Sequence, residues 1–351
     1  MNKSLLKTAI AVIMLVFLAF LIPSATLAPS YPSEGTLLGQ NDPLLTIGNL
    51  SVTPYSCCMT LGAALAMVLT LILFRKDTNV DAPALCVLAL PCALIGGHLV
   101  YCATMLGSIL SDYEEGAALI WQLKGGYTLY GAFIGLLLGL LIYSRLAHRL
   151  FARLADAVTP GAAVALAVGR LGEFFIAQGL GEYVEDEALA HFPLLICTYA
   201  DEDWSQWQIP VFFYEAVAAL VILIVVLVML RRGAPSGRMA ETFVGLLGVT
   251  QIFLESLRRD EFLRFGFVRF TQLAAAVTLA AVLFLRVRRM VLDRSWQRWQ
   301  IARVVIFALC VGVVIAIEFA LDKSTINNLL LYCVMAVCQI VMGVAILRDG
   351  Q

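Results

Sequence analysis

The sequence predicts an all-α polytopic membrane protein, a helical bundle of about nine or ten transmembrane helices with a small outer cap. Three observations carry that expectation. The chain is 61% hydrophobic and only 14% charged, whereas about a quarter of the residues in a water-facing domain are charged. Its mean hydropathy is +0.89. Apolar runs of ~20 residues, the length a helix needs to cross ~30 Å of hydrocarbon, recur from one end to the other, separated by short polar segments.

The first run, near 8–28, has a basic start (Lys3, Lys7) and a small-residue exit (Ser24, Ala25, Ala28), a pattern common to secretory signal peptides and anchoring helices. We read it as a retained helix, and either reading sends 29–52 outside. Spans then follow near 57–74, 84–106, 126–144, 157–178, 210–230, 241–257, 268–286, 301–321 and 328–347. Lys and Arg in short loops mark the cytoplasmic side. Arg75 and Lys76, then Arg145, Arg149 and Arg153, then Arg231, Arg232 and Arg238, then Arg286, Arg288, Arg289, Arg294, Arg298 and Arg303 alternate with the spans and so share one face. The opposite loops hold Asp112, Glu114, Glu115, Glu182, Glu185, Asp186, Glu187, Asp201, Glu202 and Asp203, so a formal net charge of −1 conceals a steep polarity across the membrane.

Two outer segments, 106–124 and 179–208, are long enough for structure of their own. The second combines acids with Tyr183, Phe192, Tyr199, Trp204 and Trp207, which favour the headgroup level. The arginine-rich linker 286–300 is expected to lie along the anionic inner leaflet. Three parts result: an N-terminal helix and outer segment (1–52), a body (53–290) with its cap (179–208), and a linker with two appended spans (291–351). No internal repeat is visible, which argues against an inverted-repeat transporter. The nine cysteines lie mostly within spans and read as small buried hydrophobes. His98, His148 and His191 lack ligand spacing, so no metal site is expected.

Charge inside an apolar stretch is where function is sought. An ion near the bilayer centre costs roughly 2.5–3.5 kcal/mol on insertion scales, so it faces protein or a wet cavity. Gly169-Arg170-Leu171-Gly172-Glu173 lies in the fourth span after Pro160, and on a continuous helix residues 170, 173 and 177 share a face. Arg170 and Glu173 can form a structural pair, or Arg170 can hold an anionic group. Guanidinium suits phosphate because it is always charged and donates two parallel hydrogen bonds. Gly131, Gly135 and Gly139 clear one face of the third span for a neighbouring backbone, and Tyr130 is expected at the mouth of what they line. Tyr214 and Glu215 open the fifth span on the outer side, and Glu255 and Arg258 close the sixth there. Together these segments predict an outer-leaflet cavity with arginines, carboxylates and a phenol, fit for a phospholipid headgroup.

The same segments resemble the prolipoprotein diacylglyceryl transferases of bacteria over roughly 55–280. Asp156-Ala157-Val158-Thr159-Pro160-Gly161, followed by Gly169-Arg170-Leu171-Gly172 and Phe174, is similar to that family's signature, and Gly125-Gly126 through Gly135 to its glycine motif. Residues 210–215, and Glu255 with Arg258, resemble its later motifs; Tyr55 and Gly96-Gly97 also fall where the family has a tyrosine and a small-residue pair. The resemblance implies transfer of a diacylglyceryl group from phosphatidylglycerol to the lipobox cysteine thiol of a secreted prolipoprotein. A thioether forms and glycerol phosphate leaves, with no cofactor and no metal. It implies catalytic roles for Tyr130, Arg170, Glu173 and Arg258, and substrate binding by Tyr55, Gly131, Gln178, Tyr214, Glu215, Gln251 and Glu255. The expected partners are phosphatidylglycerol, prolipoprotein signal peptides and membrane lipid, with no nucleic acid. The expected setting is the bacterial cytoplasmic membrane, with the site toward the outer leaflet.

Several positions depart from the family's pattern. Tyr130 stands where a histidine is common, Glu173 and Ile176 where asparagines are expected, Gln178 for an acid, and Gln251 and His98 for arginines. The exchanges mark a diverged member. They keep open a paralogue acting with another acceptor or lipid, and an outer-leaflet lipid-binding or transport protein. In the transferase reading Arg170 and Arg258 hold the phosphate and Tyr130 orients the headgroup. Glu173 or the leaving phosphate takes the thiol proton, since a phenol of pKa ≈ 10 is a poor base at neutral pH.

Overall fold

A computed structural model describes residues 36–47, 50–75, 77, 80–105, 126–201, 204–259, 264–265, 268–292, 298–323 and 328–348. The apolar run near 8–28, the outer segment 106–124 and Gly125 lie outside them. Among the described residues nine helices are long and apolar enough to cross a membrane, so the protein is a polytopic helical membrane protein. They are α1 (Pro54–Phe74), α2 (Ala82–Thr104), α3 (Leu129–Ala147), α4 (Phe151–Gly172), α5 (Val211–Arg231), α6 (Arg238–Leu257), α7 (Phe270–Leu292), α8 (Arg298–Lys323) and α9 (Asn328–Arg348).

Each helix coincides with an apolar run, and two boundaries differ instructively. The fourth begins at Phe151, six residues before the apolar run near 157. Its first turns are tied on the arginine-rich side, where Arg153 Nε and Nη2 donate to Asp77 Oδ2 at 2.9 and 2.7 Å. It also ends early, at Gly172, passing into a 3-10 turn, Glu173–Ile176, that Ala177 closes in the left-handed region at φ 50. Residue 177 therefore leaves the face that Arg170 and Glu173 share. The second difference is the linker 286–300. Residues 286–292 continue α7 and 298–300 begin α8, because Arg286 finds acceptors inside the protein, the carbonyls of Ala345 and Ile346 at 3.4 and 3.2 Å.

The chain divides into two compact units, Met1–Leu223 and Ile224–Gln351, with the division inside α5. In the first unit α2 packs chiefly on α3 and α1 on α4. In lipid, apolar side chains gain nothing by leaving their solvent, so helix pairs rely on close backbone approach and small residues. A Cβ built on Gly96 would fall 2.6 Å from both Gly131 O and Gly135 Cα, and one on Gly161 would fall 2.7 Å from Ala66 O. The glycine stripe of α3 is thus filled by α2. Caps set where the helices start: Thr53 and Ser56 form a reciprocal capping box at α1, and Thr128 Oγ1 accepts from Gly131 N at 3.2 Å at α3.

Three two-stranded antiparallel hairpins complete the described structure: β1 (Leu45–Ile47) with β2 (Leu50–Val52), β3 (Ile196–Ala200) with β4 (Ser205–Gln208), and β5 (Arg264–Phe265) with β6 (Val268–Arg269). The β3–β4 hairpin is the core of the expected cap. Tyr199 and Trp204 meet near its tip with ring centroids 5.4 Å apart and planes tilted by 46°, and Trp204 is largely exposed. In the second unit α6 packs on α7 and α9, and α8 on α9.

A methyl at Gly96 must push two backbones apart, and overpacking of this kind costs ~1–3 kcal/mol. Gly96→Ala is therefore expected to lower the unfolding midpoint of the purified protein in detergent. Gly312→Ala in α8, whose added Cβ meets nothing within 4 Å, is expected to leave it unchanged or raise it. Equal midpoints for Gly96→Ala and the parent would contradict the close α2–α3 approach.

Candidate functional site

Helices α1 to α4 enclose a cavity of about 280 Å³. Most of its wall is apolar, supplied by Met59, Met67, Leu90, Phe133, Leu136 and Leu166 among others. Of the polar residues on the wall, Tyr55, Tyr127, Thr128, Arg170 and Glu173 belong to the start of α1, the approach to α3 and the end of α4, while Thr70 lies near the other end of α1. The helix ends that carry the first five lie together at one end of the cavity. An apolar slot with a charged end matches an amphiphile, chains inward and headgroup at the rim.

The charged end is built around Arg170. Its Nη1 donates to Glu173 Oε1, one turn on, and its Nε lies 3.1 Å from Glu215 Oε2 at the start of α5. Side-chain exposure is 11% for Arg170 and 1% for Glu215, so these charges are withdrawn from bulk water and removing one partner leaves a poorly compensated ion. The early end of α4 makes the arrangement: the 3-10 turn holds Glu173 beside Arg170, and the chain then doubles back. Gly179, at φ +70, permits the return. A Cβ there would fall 2.5 Å from Glu173 Oε2 and 2.8 Å from Phe212 Cβ, and Phe212 N donates to Gly179 O at 2.8 Å. The turn seats Glu215, three residues after Phe212, against the guanidinium.

The remaining sequence-derived candidates are placed as follows. Tyr55 lines the cavity, and its backbone N–H donates to the buried Asn41 Oδ1 at 3.0 Å. Tyr130 is buried but is not among the cavity-lining residues; that position falls to Tyr127 and Thr128. The reason is that the glycine face beside Tyr130 packs on α2 and lines nothing. Gly131 is accordingly a packing residue: a Cβ built on it would fall 2.5 Å from Thr128 Oγ1 and 2.7 Å from Gly96 O. Gln178 is exposed beyond the left-handed Ala177. The Tyr214 hydroxyl donates to the carbonyls of Pro193 and Leu194 at 3.0 Å each, joining the cap to the start of α5. Gln251, Glu255 and Arg258 belong to the second unit. There Gln251 and Glu255 are buried on α6, and Arg258 Nη1 lies 3.3 Å from Glu255 Oε1.

Sequence reasoning missed Tyr127, Thr128, Asn41 and Gly179. Only Gly179 carried a usable signal, as a glycine just past a helix end. His98, standing where an arginine was expected, is fully buried; its Nδ1 lies 3.4 Å from Gly126 O and its Nε2 3.3 Å from Cys102 Sγ. Among the described residues no group of three His, Cys, Asp or Glu could hold a metal ion.

Burial, with a smaller contribution from Cys102, moves the Tyr127 phenol from its ordinary 10.0 up to about 12. At neutral pH it is a hydrogen-bonding phenol and not a base. Because the folded state holds this proton more tightly than the unfolded chain, the associated stability is complete below pH 10 and is lost as pH rises toward 12. The alkaline fall in unfolding midpoint is therefore expected to be shallower in Tyr127→Phe than in the parent between pH 10 and 12. Identical alkaline profiles would show that Tyr127 is not shielded from water.

The sequence profile of prolipoprotein diacylglyceryl transferase matches residues 43–288. The phosphatidylglycerol–prolipoprotein diacylglyceryl transferase of Clostridium botulinum (strain Langeland) is 26% identical over 241 residues, 68% of this chain and 92% of the relative. Its counterpart in Clostridium kluyveri (strain ATCC 8527) is 29% identical over 242 residues, 67% of this chain and 92% of the relative. The match takes in α1 to α6 and most of α7, including each catalytic and binding candidate named above; at 26–29% identity to these relatives, the chain is a diverged member of the prolipoprotein diacylglyceryl transferase family.

Proposed function

We propose that the protein transfers the diacylglyceryl group of phosphatidylglycerol to the lipobox cysteine of prolipoproteins, working at the outer leaflet of a bacterial cytoplasmic membrane. The observation that carries this reading is the α1–α4 cavity, apolar along most of its wall and ending at Arg170 within the family-like signature. The arginine distribution supports the orientation, by the positive-inside rule. The matched span 43–288 supports 53–290 as the transferase body, with 291–351 appended.

Arg170 already holds Glu173 and Glu215, a trio of formal charge −1. A phosphodiester added to that trio would be repelled, so it must take the place of one carboxylate. Glu173 is the one that yields, since Glu215 is the more deeply buried. The released Glu173 carboxylate then takes the proton of the acceptor thiol, and the thiolate is the competent nucleophile. Sulfur attacks the glyceryl carbon, the carbon–oxygen bond to phosphate breaks, and glycerol phosphate leaves with its developing charge held by Arg170. Glu173 ends protonated and the glycerol phosphate leaves as a monoester with the electron pair of the broken bond, so the phosphate gains the one negative charge that Glu173 gives up and the total over Arg170, Glu173, Glu215 and phosphate is unchanged. Tyr127, on the cavity wall, takes the headgroup-orienting role that the sequence had assigned to Tyr130. Arg258, paired with Glu255, keeps the phosphate-binding role implied by its motif.

A lipid-binding protein without transfer activity is the second reading, favoured by the hold of two carboxylates on Arg170. The two separate on incubation of the purified protein with labelled phosphatidylglycerol and a lipobox peptide. A mass increase on the peptide cysteine supports the transferase; headgroup binding with an unmodified thiol supports the binder. Removing one charge-stabilising donor slows acyl-transfer enzymes by ~10²–10³. Arg170→Gln is expected to lower turnover at least that far at unchanged protein level, with Arg258→Gln assayed separately. Retained turnover in Arg170→Gln would remove the phosphate role.

A further inference from the structure

Helices α8 and α9 both lie beyond the family-matched span 43–288, but they are not joined to the second unit in the same way. Helix α8 packs chiefly on α9, whereas α9 packs on α6 as well. Helix α9 runs antiparallel along α6. Near one end of the pair Ile346 covers Gly245, where an added Cβ would fall 3.0 Å from the Ile346 Cδ1. Near the other, Tyr332 meets Phe253 edge to face, with ring centroids 6.4 Å apart and planes at 84°. Met335 and Met342, buried between these contacts, fall on the same face of α9 by the helical repeat.

Both helices of the pair end in carbonyls that need donors. The last four carbonyls of an α-helix lack an intrahelical partner, and away from water an unsatisfied one is costly. On α9 the carbonyls of Ala345 and Ile346 receive Arg286, whose Nε lies 3.4 Å from Glu241 Oε1 near the start of α6. On α6 the carbonyl of Ser256 receives the Tyr332 hydroxyl at 3.3 Å. Ser256 Oγ donates back to Phe253 O at 2.7 Å and lies 3.7 Å from Met335 Sδ. Helix α6 stops at Leu257, and Arg258 leaves it in an extended conformation, φ −72 and ψ 143, with its N–H on Glu255 O. Its side chain turns back so that Nη1 lies 3.3 Å from Glu255 Oε1. Where the Arg258 guanidinium stands is thus set by where the last turn of α6 ends.

We propose that Tyr332 is a positioning residue: by capping Ser256 O it fixes the end of α6 and the point from which Arg258 departs, which makes the appended α9 a working part of the protein. A tyrosine suits the task, because its ring buries apolar area against Phe253 while its hydroxyl reaches a partner. The phosphate role of Arg258 belongs to the function proposed above, and the kinetic arm of the test rests on it; the capping contact does not.

Tyr332→Phe keeps the ring and removes only the hydroxyl. A hydrogen bond of ordinary net strength corresponds to a factor of about two to ten. In the full-length protein in detergent the amides of 255–258 are therefore expected to take up deuterium faster by that factor, with the amides of α8 and α1 unchanged. With phosphatidylglycerol and a lipobox peptide, kcat/KM is expected to fall by a similar factor, and to fall no further when Tyr332→Phe is introduced into Arg258→Gln, because residues that act through one another are non-additive. Unchanged deuterium uptake at 255–258, or the same loss of turnover with and without Arg258, overturns the proposal. Faster uptake throughout the second unit makes Tyr332 a general support and overturns it as well. If the parent leaves the peptide unmodified, the transferase reading fails, and deuterium uptake at 255–258 alone decides whether Tyr332 holds the end of α6.

Discussion

One guanidinium between two carboxylates, in a setting with little water, is the interaction on which the first unit's functional end depends. Arg170 cannot be removed without stranding Glu173 and Glu215, and neither acid can be stranded cheaply in apolar surroundings. That constraint explains the local backbone. The helix must stop at Gly172 so that the 3-10 turn can hold Glu173 back toward Arg170. The chain must then reverse at Gly179 so that α5 starts with Glu215 in reach. A clasp of this kind favours an anionic ligand by exchange, one anion for another, and disfavours simple addition.

The cavity beneath that clasp follows from uneven packing. Small residues draw α2 onto α3 and α1 onto α4 until backbone meets backbone at Gly96 and Gly161. Larger residues, Met59, Met67, Phe133 and Leu166, stand on the inward faces, where the two pairs do not close on each other. Tight pairs and an open centre are two outcomes of one rule, that helices in lipid approach only as far as their side chains allow.

The arginine-rich side shows how positive-inside sequences acquire structure. Loop arginines set orientation by number alone, yet here Arg286 and Arg289 have been drawn onto α7 and organised about Glu241. The carbonyls at the end of α9 supply the remaining acceptors. A charge that could have stayed at the lipid surface has become a link between helices, because an arginine with a carboxylate and two carbonyls within reach loses little by leaving water.

By itself the amino-acid sequence determined the membrane class, the nine described spans, most of them to within a few residues, and the kinship with the transferases. Hydrophobicity and charge act over windows of twenty residues and need no knowledge of neighbours. It also singled out Arg170, Glu173 and Glu215, since an ion in an apolar run is conspicuous wherever it stands. What it could not decide was which polar residue looks into the cavity. Tyr130 and Tyr127 are three residues apart and alike in composition, and only the packing of the glycine face onto α2 assigns the wall to Tyr127. The early end of α4, the return at Gly179 and the engagement of the Tyr214 hydroxyl by the cap were likewise settled by tertiary contact. Each depends on a partner distant in the chain, and a local pattern carries no record of that partner.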